Sequence, residues 1–301
     1  MNTAVDLAGL RLRNPVMPAS GCFGFGREYA EFYPLSCLGA VVTKAITGSG
    51  RRGNPTPRVT ETDGGMLNSI GLANPGVDAV LCDELPWLRQ QGVPIIANAA
   101  GSTVDEYCEV VDKLSRSGLV DAVELNVSCP NVETGGLSFG VDPDILCQLV
   151  TAVRPLCTVP LIVKLSPNTT DITAAAGAAA AAGADALSLI NTLVGMAIDV
   201  KTRRPILARG VGGYSGPGIK PVALRMVYQT VKSVNIPVIG MGGIRTGIDA
   251  IEFIMAGAAA VSVGTANFTQ PDACVVIVRE IEEFMRQEGI GCLEEIRGCA
   301  L

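Results

Sequence analysis

The chain of 301 residues contains no histidine, and that absence removes whole mechanisms. A Ser-His-Asp or Cys-His nucleophile pair, an imidazole general base and a His-ligated zinc are all excluded. Acid–base chemistry, if there is any, falls to Cys, Lys, Asp, Glu or Tyr, or to a cofactor. None of the 10 cysteines forms a C-x-x-C pair, which speaks against a local zinc or iron–sulfur site. Charge is sparse, with 17% charged residues and a net charge of −6, and an acidic balance argues against a nucleic-acid surface. No long apolar run reads as a membrane anchor. Residues 172–190 come nearest, but they are mostly Ala and Gly and carry Asp185, so they predict a water-exposed helix running into a strand. The N-terminal residues lack the basic and apolar regions of a signal peptide. A cytoplasmic protein with reduced thiols is the expectation.

What is present is a repeated architecture. Short apolar runs at 15–20, 40–44, 94–98, 122–126, 160–164, 186–191, 237–240 and 260–264 each end in Gly, Asn, Lys or Ser. Such runs, separated by helical patterns, read as buried parallel strands. Eight of them predict a single (β/α)8 TIM barrel over residues 1–301, with a doubly wound sheet as the alternative. Two intervals exceed a helix and two turns, 45–93 and 192–236, and both are rich in glycine. Long βα loops over the C-terminal mouth of a barrel are where ligands bind, although mobile surface loops have the same composition.

Strand-end residues face that mouth. Here they are Ser20, Lys44, Asn98, Asn126, Lys164 and Asn191, followed by glycines. A buried lysine without a partner costs several kcal/mol, so Lys44 and Lys164 are expected to face anionic or electron-rich ligand atoms. After the seventh run comes Gly240-Met-Gly-Gly-Ile244, and after the eighth Gly264-Thr265. Backbone N–H groups at these places commonly hold a phosphate, with Gly216 adding to the site. The phosphate belongs to a substrate or to a mononucleotide such as FMN. Cys129 directly follows the fourth run, in Glu124-Leu-Asn-Val-Ser-Cys-Pro-Asn131. In a chain without histidine its thiolate is a credible proton acceptor near neutral pH. The other nine cysteines are expected to be buried small hydrophobes.

Taken together, these stretches resemble the dihydroorotate dehydrogenases, FMN enzymes of pyrimidine biosynthesis. The likeness is carried by Ala19-Ser-Gly-Cys-Phe-Gly-Phe-Gly26, Gly53-Asn-Pro-Thr-Pro-Arg58, Asn68-Ser-Ile-Gly-Leu72, Asn126-Val-Ser-Cys-Pro-Asn131, Lys164-Leu-Ser-Pro167, Ile190-Asn-Thr-Leu-Val-Gly195, Gly240-Met-Gly-Gly-Ile244 and Val263-Gly-Thr-Ala-Asn-Phe268. Ser69, where alanine is usual, and Asp63-Gly64 depart from the pattern. Cysteine rather than serine at 129 resembles the soluble class 1 enzymes, and Gly21-Cys-Phe-Gly-Phe-Gly26 the catalytic subunit of their NAD-linked (1B) branch.

The resemblance implies oxidation of (S)-dihydroorotate to orotate, with one FMN per chain. Cys129 takes the C5 proton and hydride passes from C6 to flavin N5. It implies that Ser20, Lys44, Ala45, Asn98, Asn126, Lys164, Ile190, Gly216, Gly242, Gly243, Gly264 and Thr265 hold FMN. Lys44, Asn68, Ser69, Ile70, Gly71, Leu72, Asn126, Asn131, Asn191 and Thr192 hold the substrate, and the loop after Cys129 serves as a lid. A partner subunit carrying FAD and a [2Fe–2S] cluster would pass electrons to NAD, in a heterotetramer of two catalytic and two electron-transfer subunits. Neither nucleic acid nor membrane is an expected partner. The alternatives are a fumarate-linked (1A) enzyme, another FMN barrel acting on dihydropyrimidines and, more remotely, a Schiff-base aldolase using Lys164 or Lys44.

Overall fold

The computed structural model describes residues 1–128, 130–131 and 137–301, with residues 130, 131, 137 and 138 described in their backbone alone. Eight parallel strands form its centre. They are β1 (Val16–Pro18), β2 (Val41–Val42), β3 (Ile95–Ala99), β4 (Ala122–Asn126), β5 (Leu161–Lys164), β6 (Ala186–Leu189), β7 (Val238–Met241) and β8 (Ala260–Val263). Hydrogen-bonded neighbours follow the order β1-β8-β7-β6-β5-β4-β3-β2. From β2 to β8 each pairs with its successor in the chain, and β8 pairs with β1, as a barrel requires. Between β1 and β2 a hydrogen bond from the Gly39 N–H to the Val16 carbonyl (2.9 Å) bridges the seam. A side chain at Gly39 would run into the Asn14 carbonyl, so the seam closes this tightly only because Gly39 has none.

All eight strands lie where the apolar runs place them. They are buried almost throughout because a parallel strand in a barrel has side chains in the interior on one face and under helices on the other. Helix Val104–Arg116 shows how the outer layer forms. Thr103 caps its N-terminus by accepting from the Glu106 N–H (3.2 Å), Asp105 and Glu106 occupy the first turn, and Lys113 and Arg116 the last. Both placements complement the helix dipole. Tyr107, Val110, Val111 and Leu114 form its buried stripe, each stabilising the fold by about 1.5–3 kcal/mol. Residues 172–190 separate as expected into helix Ile172–Ala181 and strand β6. Among the described residues no helix is long and apolar enough to cross a membrane.

Several expectations need correction. The interval between β1 and β2 holds no α-helix, only the 3-10 turns Tyr29–Glu31 and Leu35–Cys37. Its Gly21, Gly24 and Gly26 all take positive φ, which interrupts a helix. Of the nine cysteines expected to be buried, only Cys157 and Cys274 are, while Cys82 and Cys299 are exposed. Cys82 lies on a helical stretch with solvent on one side and Cys299 near the C-terminus, where no second layer covers it. Two features went unpredicted. An antiparallel hairpin, Val5–Leu7 with Leu10–Leu12, turns through Ala8 and Gly9 at positive φ and buries Leu7 and Leu12 in the main core. The two long loops contribute strands to one four-stranded antiparallel sheet, Leu193–Met196, Val211–Ser215, Gly65–Asn68 and Val59–Thr62 in spatial order. These are not separate surface loops. Their glycines allow the close pairing: a Cβ at Gly65 would collide with the Ser215 carbonyl, and one at Gly213 with the Thr192 side chain.

Candidate active site

A cavity of about 1740 Å³ opens over the C-terminal ends of the strands. Its floor comes from the barrel and its far wall from the four-stranded sheet. Ser20, Lys44, Ala45, Asn126, Lys164, Ile190, Gly216, Gly242, Gly243, Gly264 and Thr265 line it, together with Asn68, Ser69, Ile70, Gly71, Leu72, Asn191 and Thr192. The residues singled out for two ligands thus share one space. Asn98 does not reach it. That residue is fully buried and its Nδ2 donates to Glu124 Oε1 (2.6 Å), so it stands one layer below the floor. Cys129 and the Asn131 side chain lie outside the described residues. The backbone strands Pro130–Asn131 and Leu137–Ser138 pair antiparallel, so the chain returns on itself here.

The floor is organised around Glu124, which the sequence reading passed over although a carboxylate in the apolar run Ala122-Val-Glu-Leu-Asn126 was the available signal. Glu124 is 1% exposed. Its oxygens accept from Asn98 Nδ2 of β3 and from Ser188 Oγ of β6 (2.7 Å), and Lys164 Nζ of β5 lies 3.9 Å away. An isolated buried carboxylate costs several kcal/mol, and these contacts from three other strands offset that cost. The Lys164 separation suits an ion pair but is too long for a hydrogen bond. Among the described residues nothing hydrogen-bonds to Lys164 Nζ, so its donors stay directed at the cavity it lines. Among the described residues Asn98 Oδ1 has no hydrogen-bond partner, because its amide has turned its donor end to the carboxylate.

Lys44 is half-buried at the end of β2, and its pKa is lowered, first by desolvation and then by the nearby Arg58 charge, with Glu28 opposing. Desolvation by the surrounding protein pushes the partly exposed Cys22 thiol up to about 11, against the pull of Lys164. Cys22 therefore lines the cavity as a thiol, not as a thiolate. Just past the end of β6, Asn191 Nδ2 donates to Ser128 Oγ (2.7 Å), and Asn191 Oδ1 accepts from the Thr192 N–H (2.8 Å). The Tyr107 hydroxyl fixes β4 by donating to the Asn126 carbonyl (2.6 Å). Asn68 Nδ2 reaches the Gly213 carbonyl (3.4 Å), tying one long loop to the other.

The turn at 70–72 is held under strain. Leu72 takes φ 55° beside Gly71 at 74°, and a left-handed conformation costs a residue with a Cβ about 1–2 kcal/mol. Asn74 offsets this. Its Nδ2 donates to the Leu72 carbonyl (2.7 Å) and to Thr47 Oγ1 (2.8 Å), while its Oδ1 accepts from the Gly76 N–H (2.9 Å).

The lining suits an anionic, phosphate-bearing cofactor. Lys44, Arg51, Arg58, Lys164, Arg209 and Arg245 line the cavity against Glu61 and Glu280. Gly242 and Gly243, at φ 126° and 77°, bring bare backbone to the wall. A Cβ at Gly264 would meet nothing nearer than Cys22 Sγ at 3.6 Å, so side chains larger than glycine there would fill cavity space. These features fit FMN. Among the described residues no cluster of three or more metal-ligating side chains exists.

Comparison with known proteins agrees with this geometry. The family model described as Dihydroorotate dehydrogenase matches residues 2–285. The chain is 60% identical over 295 residues to the dihydroorotate dehydrogenase B (NAD(+)) catalytic subunit of Geobacillus kaustophilus (strain HTA426), covering 98% of this chain and 94% of that one. It is 56% identical over 294 residues to the protein of the same name from Listeria monocytogenes serotype 4b (strain F2365), covering 98% and 97%. Among solved structures, DHODH from Eimeria tenella in complex with ferulenol superposes with a TM-score of 0.83 at 25% identity, covering 98% of this chain and 88% of that one.

Proposed function

This chain belongs to the dihydroorotate dehydrogenase family, and on that premise we propose that it oxidises (S)-dihydroorotate to orotate at the barrel mouth. The observation that carries the reading is the convergence of Lys44, Lys164, Asn126, Asn191 and the 70–72 turn on one cavity, above the strand that leads directly into Cys129. A proton leaves C5, a hydride leaves C6, and a double bond forms between these carbons. FMN, when bound, supplies the hydride acceptor. The Cys129 thiolate takes the C5 proton, the only role in the reaction that calls for a base. Lys164 presents its ammonium to the cofactor from the floor, where fixed positive charge favours electron uptake. Lys44 serves cofactor and substrate together. The amides of Asn68, Asn126, Asn131 and Asn191, with Thr192, match the alternating N–H and C=O groups of the pyrimidine ring.

Cys129→Ser tests the base. Its alcohol is far harder to ionise than a thiol, so turnover at neutral pH is expected to fall by about 10²–10⁴-fold while FMN binding stays intact. Full turnover at neutral pH would remove Cys129 from the mechanism.

The electron acceptor is NAD, reached through a separate subunit that carries FAD and a [2Fe–2S] cluster in a cytoplasmic tetramer of two and two. The support is twofold. The relatives are named as NAD(+)-linked catalytic subunits, and this chain has neither cluster spacing among its cysteines nor a dinucleotide fingerprint within a βαβ unit, since Gly48-Ser-Gly-Arg-Arg-Gly53 has the spacing but opens no helix. Copurification with a yellow, iron-containing subunit that restores NAD reduction is the expected result. A homodimer fully active with fumarate would reverse the assignment.

A further inference from the structure

Asn54 belongs to the Gly53-Asn-Pro-Thr-Pro-Arg58 stretch, in the first long loop. Its Nδ2 donates to the Ser69 carbonyl (2.9 Å) and its backbone N–H to the Ile70 carbonyl (2.9 Å). Its Oδ1 accepts from Arg209 Nε (3.3 Å), which comes from the second long loop. Gly71 packs against it so closely that a Cβ there would lie 2.6 Å from Asn54 Cγ. One side chain thus ties the 69–71 turn to both loops.

Peptide planarity turns these contacts into a statement about donors. In a trans peptide the N–H points opposite to the carbonyl of the same plane. Drawing the Ser69 and Ile70 carbonyls to Asn54 directs the N–H groups of Ile70 and Gly71 the other way. Both residues line the cavity. Among the described residues, the N–H groups of Ile70, Gly71 and Leu72 donate to no acceptor. Unspent donors near Lys44 and Arg58 suit a carboxylate, since hydrogen bonds to an ionised acceptor are the strong ones.

We propose that Asn54 is a positioning residue, which fixes these two peptide planes so that their N–H groups take the substrate carboxylate. The inference rests on the reading of this cavity as a dihydroorotate site. It also assigns the Arg209 contact a purpose, because that bond holds the Asn54 amide with its donor end toward Ser69.

The test compares orotate with uracil, which has the same ring without the carboxylate, as ligands of the FMN-loaded full chain. In Asn54→Ala the Kd for orotate and the KM for dihydroorotate are expected to rise about tenfold, the effect of about one lost charge-assisted hydrogen bond. The Kd for uracil and for FMN should stay within twofold, and kcat should fall less than twofold. Asn54→Ser, too short to span to Ser69, is the second variant and should show the same selective loss if Asn54→Ala does not fold. Equal weakening of orotate and uracil would mean a collapsed wall and overturn the proposal, as would an unchanged orotate constant. A parent chain that binds FMN but not orotate overturns the functional reading instead, and this inference with it.

Discussion

The floor and the far wall of the cavity are built on opposite principles. Under the cavity Asn98 and Ser188 are 0% exposed, Glu124 1% and Lys164 5%, and their contacts join β4 to its neighbours β3 and β5 and, beyond β5, to β6. The wall is a small sheet with one side in solvent, where Val194, Met196 and Val211 are 65%, 51% and 50% exposed. Buried polar contacts in a low-dielectric interior resist displacement, because each lost partner leaves an unpaired group. A peripheral sheet with few buried apolar side chains opens at lower free-energy cost. The floor therefore sets where charge sits, and the wall is the part that opens at lower cost.

The comparison is most exposed to a break at Glu124. Glu124→Ala leaves Lys164 and the Asn98 amide buried without a partner, and should lower global stability by about 3–5 kcal/mol in urea unfolding. Glu124→Gln, which keeps an acceptor for Asn98 Nδ2 and offers Ser188 Oγ a donor in place of the second acceptor, should cost clearly less. If both variants unfold at the parent midpoint, the floor is not the rigid element. Gly213→Ala probes the wall. Its added methyl meets Thr192, a local overpacking of about 1–3 kcal/mol confined to the sheet. Global stability should fall clearly less than in Glu124→Ala while dihydroorotate KM rises several-fold; an unfolding loss equal to that of Glu124→Ala would erase the distinction. The smallest effect concerns charge at the rim. Arg58 helps to lower the Lys44 pKa, so in Arg58→Met that lysine should keep its proton to higher pH. The alkaline limb of orotate binding, where the Lys44 charge is lost, then shifts upward. A limb that stays in place would mean that Lys44 does not govern it.

Legibility in the sequence follows the same division. Lys44, Asn126, Lys164 and Asn191 could be found because apolar runs mark the strands and the residue that ends a run faces the mouth. Asn98 obeyed that rule in position but not in role. Its rotamer answers to Glu124, and which neighbour a buried amide turns to depends on strand register rather than on its place in the chain. Glu124 was visible as a charge in an apolar run, yet its partners come from β3, β5 and β6, so their meeting could not be read along one strand. The wall was illegible for another reason. Its strands are short, glycine-rich and partly exposed, so period-2 patterning is weak, and Gly213 finds its partner Asn68 across a long stretch of chain. Asn54 shares that fate, since its amide has meaning only once Ser69 and Arg209 flank it.

By itself, then, the sequence determined the class of machine. Eight apolar runs with polar ends specify a barrel, because hydrophobic patterning is local and survives without knowledge of neighbours. A chain without histidine narrows the proton acceptor to Cys, Lys, Asp, Glu, Tyr or a cofactor, and the family likeness points to Cys129. Only the tertiary structure decided how the cavity is held. It closed the seam at Gly39, set a buried carboxylate beneath Lys164, and joined two distant loops into a wall whose carbonyls are drawn outward by Asn54. Those outcomes depend on register and on peptide orientation, which arise from contacts among strands and not from any one segment.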